Sequence, residues 1–131
     1  MVTSTATTEF ISGHLVEELG KYLVAAPSLT LRARILRLID LQNDFRKLGK
    51  SVLREAGWDT GGARDRIRRY LMEHKGQVIE GAELAVISGI SEYGRRVREL
   101  REEGLHIITG PEADPKTHQP LRPDQYLLLK K

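Results

Sequence analysis

Residues 81–104 read GAELAVISGISEYGRRVRELREEG, and the organisation of the rest of the chain follows from this segment. It contains a short apolar helix pattern, a tight turn at Gly89-Ile90, and a second helix pattern rich in arginine and glutamate. Gly89 tolerates the left-handed backbone of such a turn, and Ser91 is a typical helix N-cap residue. The segment therefore predicts two helices that meet at a sharp turn.

Elements on both sides of this segment extend the pattern. Before it, residues 63–74 have helical periodicity and residues 78–79 form a short extended piece. After it, residues 105–109 are rich in strand-forming side chains, residues 110–124 hold four of the five prolines, and residues 125–129 read as a closing strand. The predicted order is helix, short strand, helix, helix, strand, long loop and strand.

The first part of the chain is a predicted helical hairpin. Residues 9–25 and 29–54 carry apolar side chains at helical spacing, and between them the sequence AAPS at residues 25–28 predicts a helix end, a turn and a new cap. The apolar seam of the second helix comprises Leu31, Ile35, Leu38, Leu41, Phe45, Leu48 and Val52. Because two helices of unequal length cannot bury both stripes on each other, we expect a homodimer through residues 9–54. Pairing with another protein is the alternative.

The boundary between the two parts is predicted at a glycine-rich break. Residues 56–62 contain three glycines in seven residues. The predicted domains are therefore residues 1–57, a hairpin for dimerisation, and residues 58–131.

The second domain resembles a known family. Its order of elements, the Gly-Ile-Ser turn at residues 89–91 and the RRVRELREEG helix at residues 95–104 resemble winged helix-turn-helix DNA-binding domains. In particular, residues 63–129 look like the winged-helix module attached to bacterial HNH and restriction-type endonucleases. The resemblance implies a mainly α fold, an N-terminal helical hairpin followed by a winged helix-turn-helix of three helices and a small β wing. It implies double-stranded DNA as the ligand, with the third helix in the major groove.

The same resemblance indicates which side chains would contact DNA. If Gly94, Val97 and Leu100 face the core, the opposite side of the third helix is available to bases. Arginine can donate two hydrogen bonds to guanine, so Arg95 and Arg96 are the candidates for base reading. The predicted DNA-contact set is Ser91, Glu92, Tyr93, Arg95, Arg96 and Arg98 at the third helix, Arg64 and Arg68 on the first helix, and Lys116, His118 and Arg122 in the wing. Arg66 and Arg69 are further phosphate-contact candidates. The alternative for these arginines is a solvated face paired with neighbouring glutamates.

Composition excludes several classes of protein. The 131 residues carry a net charge of +3, and residues 58–110 hold nine Lys and Arg against nine Asp and Glu, so charge alone does not require nucleic acid. There is no cysteine and no apolar run long enough for a membrane span, which favours a cytoplasmic protein. The four histidines lack metal-ligand spacing, and no phosphate-binding glycine loop is present. We therefore expect no catalytic residues, no metal and no cofactor, and a protein that is not an enzyme.

These observations lead to one main hypothesis and one alternative. The main hypothesis is a dimeric protein that binds double-stranded DNA, either in transcription regulation or as a DNA-targeting component of a restriction or defence system. The alternative is a winged-helix protein-protein interaction or scaffold module without DNA binding, which the balanced charge of the second domain favours. The response of DNA affinity to salt distinguishes the two.

Overall fold

The structure, a computed structural model, describes residues 4–129, with side chains described from residue 7 onward. These residues form a mainly helical protein with a small three-stranded antiparallel sheet. The chain divides into two compact units, Met1–Asp59 and Thr60–Lys131. The predicted domains, residues 1–57 and 58–131, include residues 1–3 and 130–131, which lie outside the described residues. None of the helices within residues 4–129 is long and apolar enough to cross a membrane.

The first unit is a hairpin of two long helices. Helix α1 (Ser4–Ala25) and helix α2 (Leu31–Glu55) are joined by a single 3-10 turn (Ala26–Ser28). Leu15 of α1 and Leu41 of α2 are buried in the hairpin. The predicted helices are therefore present.

The start of α2 differs from the prediction in its cap. Thr30 is the N-cap, and its hydroxyl accepts a hydrogen bond from the backbone N–H of Ala33 at 3.2 Å. The hydroxyl of Ser28, the predicted cap, instead donates to the carbonyl of Ala25. Ser28 ends the preceding helix because its side chain satisfies one of the carbonyls left free there.

The second unit alternates short helices and strands. Its elements are α3 (Ala63–Glu73), β1 (Ile79–Glu80), α4 (Gly81–Ser88), α5 (Tyr93–Glu102), β2 (Ile107–Thr109) and β3 (Gln125–Leu128). The sheet order is β1-β3-β2, with both pairs antiparallel. The three helices pack on one face of the sheet around a core of Ile67, Leu71, Ile79, Leu84, Val97, Leu100, Ile107, Tyr126 and Leu128.

The turn between α4 and α5 uses glycine as predicted but not the predicted cap. Gly89 ends α4 with a φ of 73°, in the left-handed region. Helix α5 begins after Glu92, and neither Glu92 nor Ser91 caps it with a side chain. At the start of α4, the Glu83 carboxylate accepts a hydrogen bond from the backbone N–H of Glu80 at 2.7 Å, which compensates for the poor capping ability of Glu80 itself.

The proline-rich segment between β2 and β3 folds back over the sheet. Leu121 packs with Ile108 and Leu127, which point to the sheet face opposite the helices because side chains alternate along a strand. The ammonium group of Lys116 donates to the carbonyl of Gly76 at 3.2 Å, beyond the C-terminal end of α3. The segment thus covers the outer face of the sheet.

Candidate nucleic-acid interface

Helix α5 presents one buried stripe and two long accessible sides. Val97 and Leu100 are buried in the core, as predicted. Gly94 lies on the same stripe, where a Cβ would stand 3.9 Å from the hydroxyl of Tyr126. The small and apolar residues of α5 therefore pack against the core. The two remaining sides of the helix differ in charge.

The side of α5 that faces α3 is filled by ion pairs. The Arg64 guanidinium lies 3.5 Å from Glu99 and 3.1 Å from Glu103. Arg68 pairs with Glu103, and Arg96 pairs with Glu99. The expectation that Arg96 lies opposite the core is not met, since Arg96 is half-buried on this side and pairs with Glu99. Contact of Arg64, Arg68 and Arg96 with DNA stays a prediction.

The other side of α5 is open. Arg95 and Arg98 are exposed, and within residues 4–129 neither makes an ion pair. Their spacing of three places them on the same side of the helix. Arg101 follows one turn later, 3.7 Å from the exposed carboxylate of Glu112. The adjoining groove is lined by Ser91, Glu92, Tyr93, Arg95, Arg98, Arg101, Thr109, Asp124 and Tyr126, among others.

The N-terminal end of α5 is tied to the sheet through Asp124. The hydroxyl of Tyr93 donates to this carboxylate, at 2.8 and 2.7 Å from its two oxygens, and Tyr126 donates to it at 3.3 Å. Hydrogen bonding to Asp124 raises the pKa of Tyr93 to about 12. Burial, and then the charge of Asp124, raise the pKa of Tyr126. A Cβ at position 81 would overlap the Asp124 side chain, so Gly81 makes room for the carboxylate at the start of α4.

The three predicted wing residues lie outside the groove. Lys116 is bound to the carbonyl of Gly76, as described above. His118 is exposed with a φ of 60°, and the Arg122 guanidinium lies 3.3 Å from Glu80. The structure therefore does not bring these cations together with Arg95 and Arg98.

Arg66 has a role that the sequence did not reveal. Its guanidinium donates to the carbonyls of Ile87 and Ser88, both at 2.8 Å, and to the carbonyl of Gly61 at 2.6 Å. The first two carbonyls belong to the last turn of α4, where helix carbonyls lack intrahelical donors. Arg66 thus fixes the turn that leads into α5. Nothing in the local sequence distinguishes it from Arg64 and Arg68, because its partners lie more than twenty residues away.

Acidic and histidine side chains do not gather elsewhere in the described residues. Between residues 4 and 129 there is no group of three or more His, Asp or Glu side chains that could hold a metal ion. The groove beside α5, lined by Arg95 and Arg98, is the candidate site.

Comparison with known families supports the assignment of the second unit. Residues 64–129 match the family model described as the KpnI N-terminal domain. The chain belongs to the KpnI N-terminal domain family. This family is related to restriction enzymes, in agreement with the resemblance of residues 63–129 to a module of restriction-type endonucleases. The KpnI N-terminal domain match includes every residue predicted to contact DNA. No curated protein and no solved structure gives a significant match to the chain.

Proposed function

We propose that residues 60–129 form a winged helix that binds duplex DNA, and that the chain is a DNA-targeting component of a restriction or defence system. Membership of the KpnI N-terminal domain family favours this role over that of a transcriptional regulator. The element order and the β1-β3-β2 sheet are the arrangement that the winged-helix interpretation requires. In this proposal α5 is the recognition helix and enters the major groove.

The observation that carries the proposal is the pair of exposed arginines on the open side of α5. Arg95 and Arg98 are free of ion pairs among the described residues, whereas Arg64, Arg68 and Arg96 share ion pairs with Glu99 and Glu103. A guanidinium with free donors can bind guanine O6 and N7 together, which contributes about 1–3 kcal/mol of base discrimination. Arg95 and Arg98 are therefore the proposed base-reading residues.

Other side chains of the groove have supporting roles in this proposal. Ser91 and Arg101 lie at the two ends of the α5 side that carries Arg95 and Arg98, so they are placed to contact phosphates. Arg64 and Arg68 hold α5 against α3 through Glu99 and Glu103, and Arg96 pairs with Glu99 within α5. Lys116, His118 and Arg122 contribute little to affinity because they lie outside the groove.

The test is a fluorescence-anisotropy titration against a random-sequence duplex of about 30 base pairs, at roughly 50 and 200 mM salt. We expect affinity to fall by about tenfold or more over this range, because several phosphate contacts release counterions. Arg95→Ala and Arg98→Ala should each weaken binding by about fivefold or more. Arg122→Ala is the matched control: it removes one arginine charge outside the groove, and affinity should stay within about twofold of wild type.

Two other outcomes would redirect the assignment. Wild-type affinity in Arg95→Ala and Arg98→Ala, with a loss in Arg96→Ala, would place the other side of α5 on DNA. No binding at the lower salt concentration would refute DNA binding and favour the protein-interaction alternative.

We also propose that the first unit joins two copies of the chain. The hairpin exposes large apolar side chains such as Leu23 and Leu31, which remain 76% and 73% exposed. Contiguous apolar surface of this kind marks an interaction site in a monomer. A solution mass twice the 14.8 kDa of one chain would support the homodimer. A mass of one chain at micromolar concentration would refute it.

A further inference from the structure

Helix α2 carries an exposed row of side chains that is distinct from the row facing α1. Leu41 and Ser51 are buried and lie toward α1, where Ser51 is hydrogen-bonded to Thr8. The exposed row, with steps of four and three, comprises Leu31, Ile35, Leu38, Gln42, Phe45, Gly49 and Val52, of which Gly49 is half-buried and the other six are exposed. This is heptad spacing, which places all seven positions along one side of the helix. Leu41, part of the seam predicted from the sequence, does not belong to this row, and Gln42 does.

Helix α1 extends the same apolar face. Val16, Leu19 and Leu23 follow one side of α1 and are all exposed. The opposite side of the hairpin is marked by the approach of His14 to Asp44, 3.9 Å apart. In an antiparallel pair of helices, positions 16, 19 and 23 then lie on the side that also carries the exposed row of α2. This side, called here the apolar face, carries eight exposed large apolar side chains, while among the described residues of the hairpin Phe10, Val24, Leu36 and Ile39 are exposed outside it.

The exposed row of α2 is nearly symmetric about its centre. Gln42, its only side chain able to form hydrogen bonds, is the fourth of the seven positions. We infer that a second copy of this chain docks on the apolar face with its α2 antiparallel to the first, and that the two-fold axis passes at Gln42. This inference rests on the homodimer proposed above and specifies its geometry. A two-fold axis makes the contact self-complementary. Gln42 then meets Gln42 of the second copy, and every other position i of the row meets the row position of the second copy that is nearest to 84 minus i.

Side-chain sizes along the row favour this direction over the parallel one. In the antiparallel pair, Ile35 stands opposite Gly49 of the second copy, so a large side chain meets a residue without a side chain. Phe45 stands opposite Leu38. In a parallel, in-register pair Gly49 would face Gly49 and leave a void, while Phe45 would face Phe45. A polar side chain at the centre of an apolar row also fixes the register.

The exposed side chains of α1, Val16, Leu19 and Leu23, also contact the second copy in this arrangement. Because Thr8 lies near Ser51 and His14 near Asp44, the segment Val16–Leu23 runs beside the first half of α2. The antiparallel arrangement places Phe45 and Val52 of the second copy over that same half. The eight large apolar side chains of the face are Val16, Leu19, Leu23, Leu31, Ile35, Leu38, Phe45 and Val52, each at least 42% exposed.

The first test is the solution mass of two matched variants. Phe45→Asp places a charge in the centre of the apolar face, and Asn43→Asp places the same charge on the exposed, opposite side of α2. We expect Asn43→Asp to keep twice the 14.8 kDa chain mass and Phe45→Asp to fall to one chain mass at micromolar concentration. Circular dichroism of both variants shows that the helices persist. Equal masses for the two variants would overturn the assignment of this face.

The second test uses the absence of cysteine from the full chain, which allows single thiols to report distances. Under mild oxidation Gln42→Cys should form a disulfide-linked dimer by itself. Ile35→Cys alone and Gly49→Cys alone should not, whereas a mixture of these two variants should form a mixed disulfide dimer. Efficient linking of Ile35→Cys to itself would show a parallel dimer and overturn the inferred geometry while leaving the homodimer intact. A wild-type mass of 14.8 kDa would overturn both. The anisotropy titration tests DNA binding independently of either result.

Discussion

Arg66 illustrates, at the scale of a single residue, how one side chain can set the position of a whole helix. Arg66→Ala would leave two carbonyls at the end of α4 without their charged donor. Hydrogen bonds from charged groups contribute about 1.5–3 kcal/mol each, and Arg66 is only half-buried, so we expect the loss of two to lower the free energy of unfolding by about 3 kcal/mol. Urea unfolding measures the change.

The control for this prediction is Arg95→Ala. Arg95 is exposed and without an ion pair in the described residues, so its removal should change the free energy of unfolding by less than about 0.5 kcal/mol. Equal destabilisation of the two variants would show that the Arg66 hydrogen bonds do not support the α4–α5 turn.

Tyr93 gives the second residue-scale prediction, a loss of stability at alkaline pH. Its pKa is raised from 10.0 to about 12 in the folded state by the hydrogen bond to Asp124. Above pH 10 the unfolded chain releases this proton while the folded chain retains it, so stability falls as the pH rises from about 10 to 12. Tyr93→Phe should therefore show a shallower fall in the urea midpoint between about pH 9 and pH 11 than wild type. An unchanged pH dependence would contradict the role of this hydrogen bond.

At the scale of elements, the segment between β2 and β3 depends on a close backbone approach. A Cβ at Gly110 would lie 2.7 Å from backbone atoms of Leu121 and Arg122, closer than real contacts allow. Gly110→Ala should lower the free energy of unfolding by about 1–3 kcal/mol, since the segment must move off the sheet. The control is Gly13→Ala, where a Cβ meets open space within α1 and should stabilise the helix by about 0.5–1 kcal/mol. Thermal unfolding separates the two because the changes have opposite sign.

The elements themselves were largely predictable from the sequence, and the reason is local. Helix α4 matches its predicted bounds, and α3 and α5 agree within two residues, because apolar spacing and the glycines at their ends act over a few positions. The caps were less predictable: Ser28 and Ser91 have suitable side chains but do not cap the helices expected.

The partners of the site residues could not be predicted, since they are distant in sequence. The pairing of Arg64 with Glu103 joins residues 39 positions apart, and Asp124 reaches Tyr93 only after the sheet has formed. Arg95 lies on the open side of α5 as expected, whereas Arg96, its neighbour in the chain, is half-buried and pairs with Glu99.

At the scale of the whole molecule, the division into two compact units predicts that the second unit is stable without the first. The second unit has its own core from Ile67 to Leu128, so a fragment of residues 60–131 should unfold cooperatively by itself. If two copies hold two such units together, the fragment should bind a duplex at least about tenfold more weakly than the full chain, because the second contact is no longer intramolecular. Calorimetry of the fragment measures its unfolding, and fluorescence anisotropy measures its affinity for the duplex. Equal affinity of fragment and full chain would show that a single unit accounts for the binding.

The contacts that hold α5 in place do not include Arg95 or Arg98. Helix α5 is held in place by the hydrogen bonds of Arg66 and Tyr93 and by the Arg64–Glu103 ion pair. Substitutions at the open positions therefore carry little stability cost. A lineage built on this domain can exchange those residues freely, and so acquire new target sequences, without having to evolve a new scaffold each time.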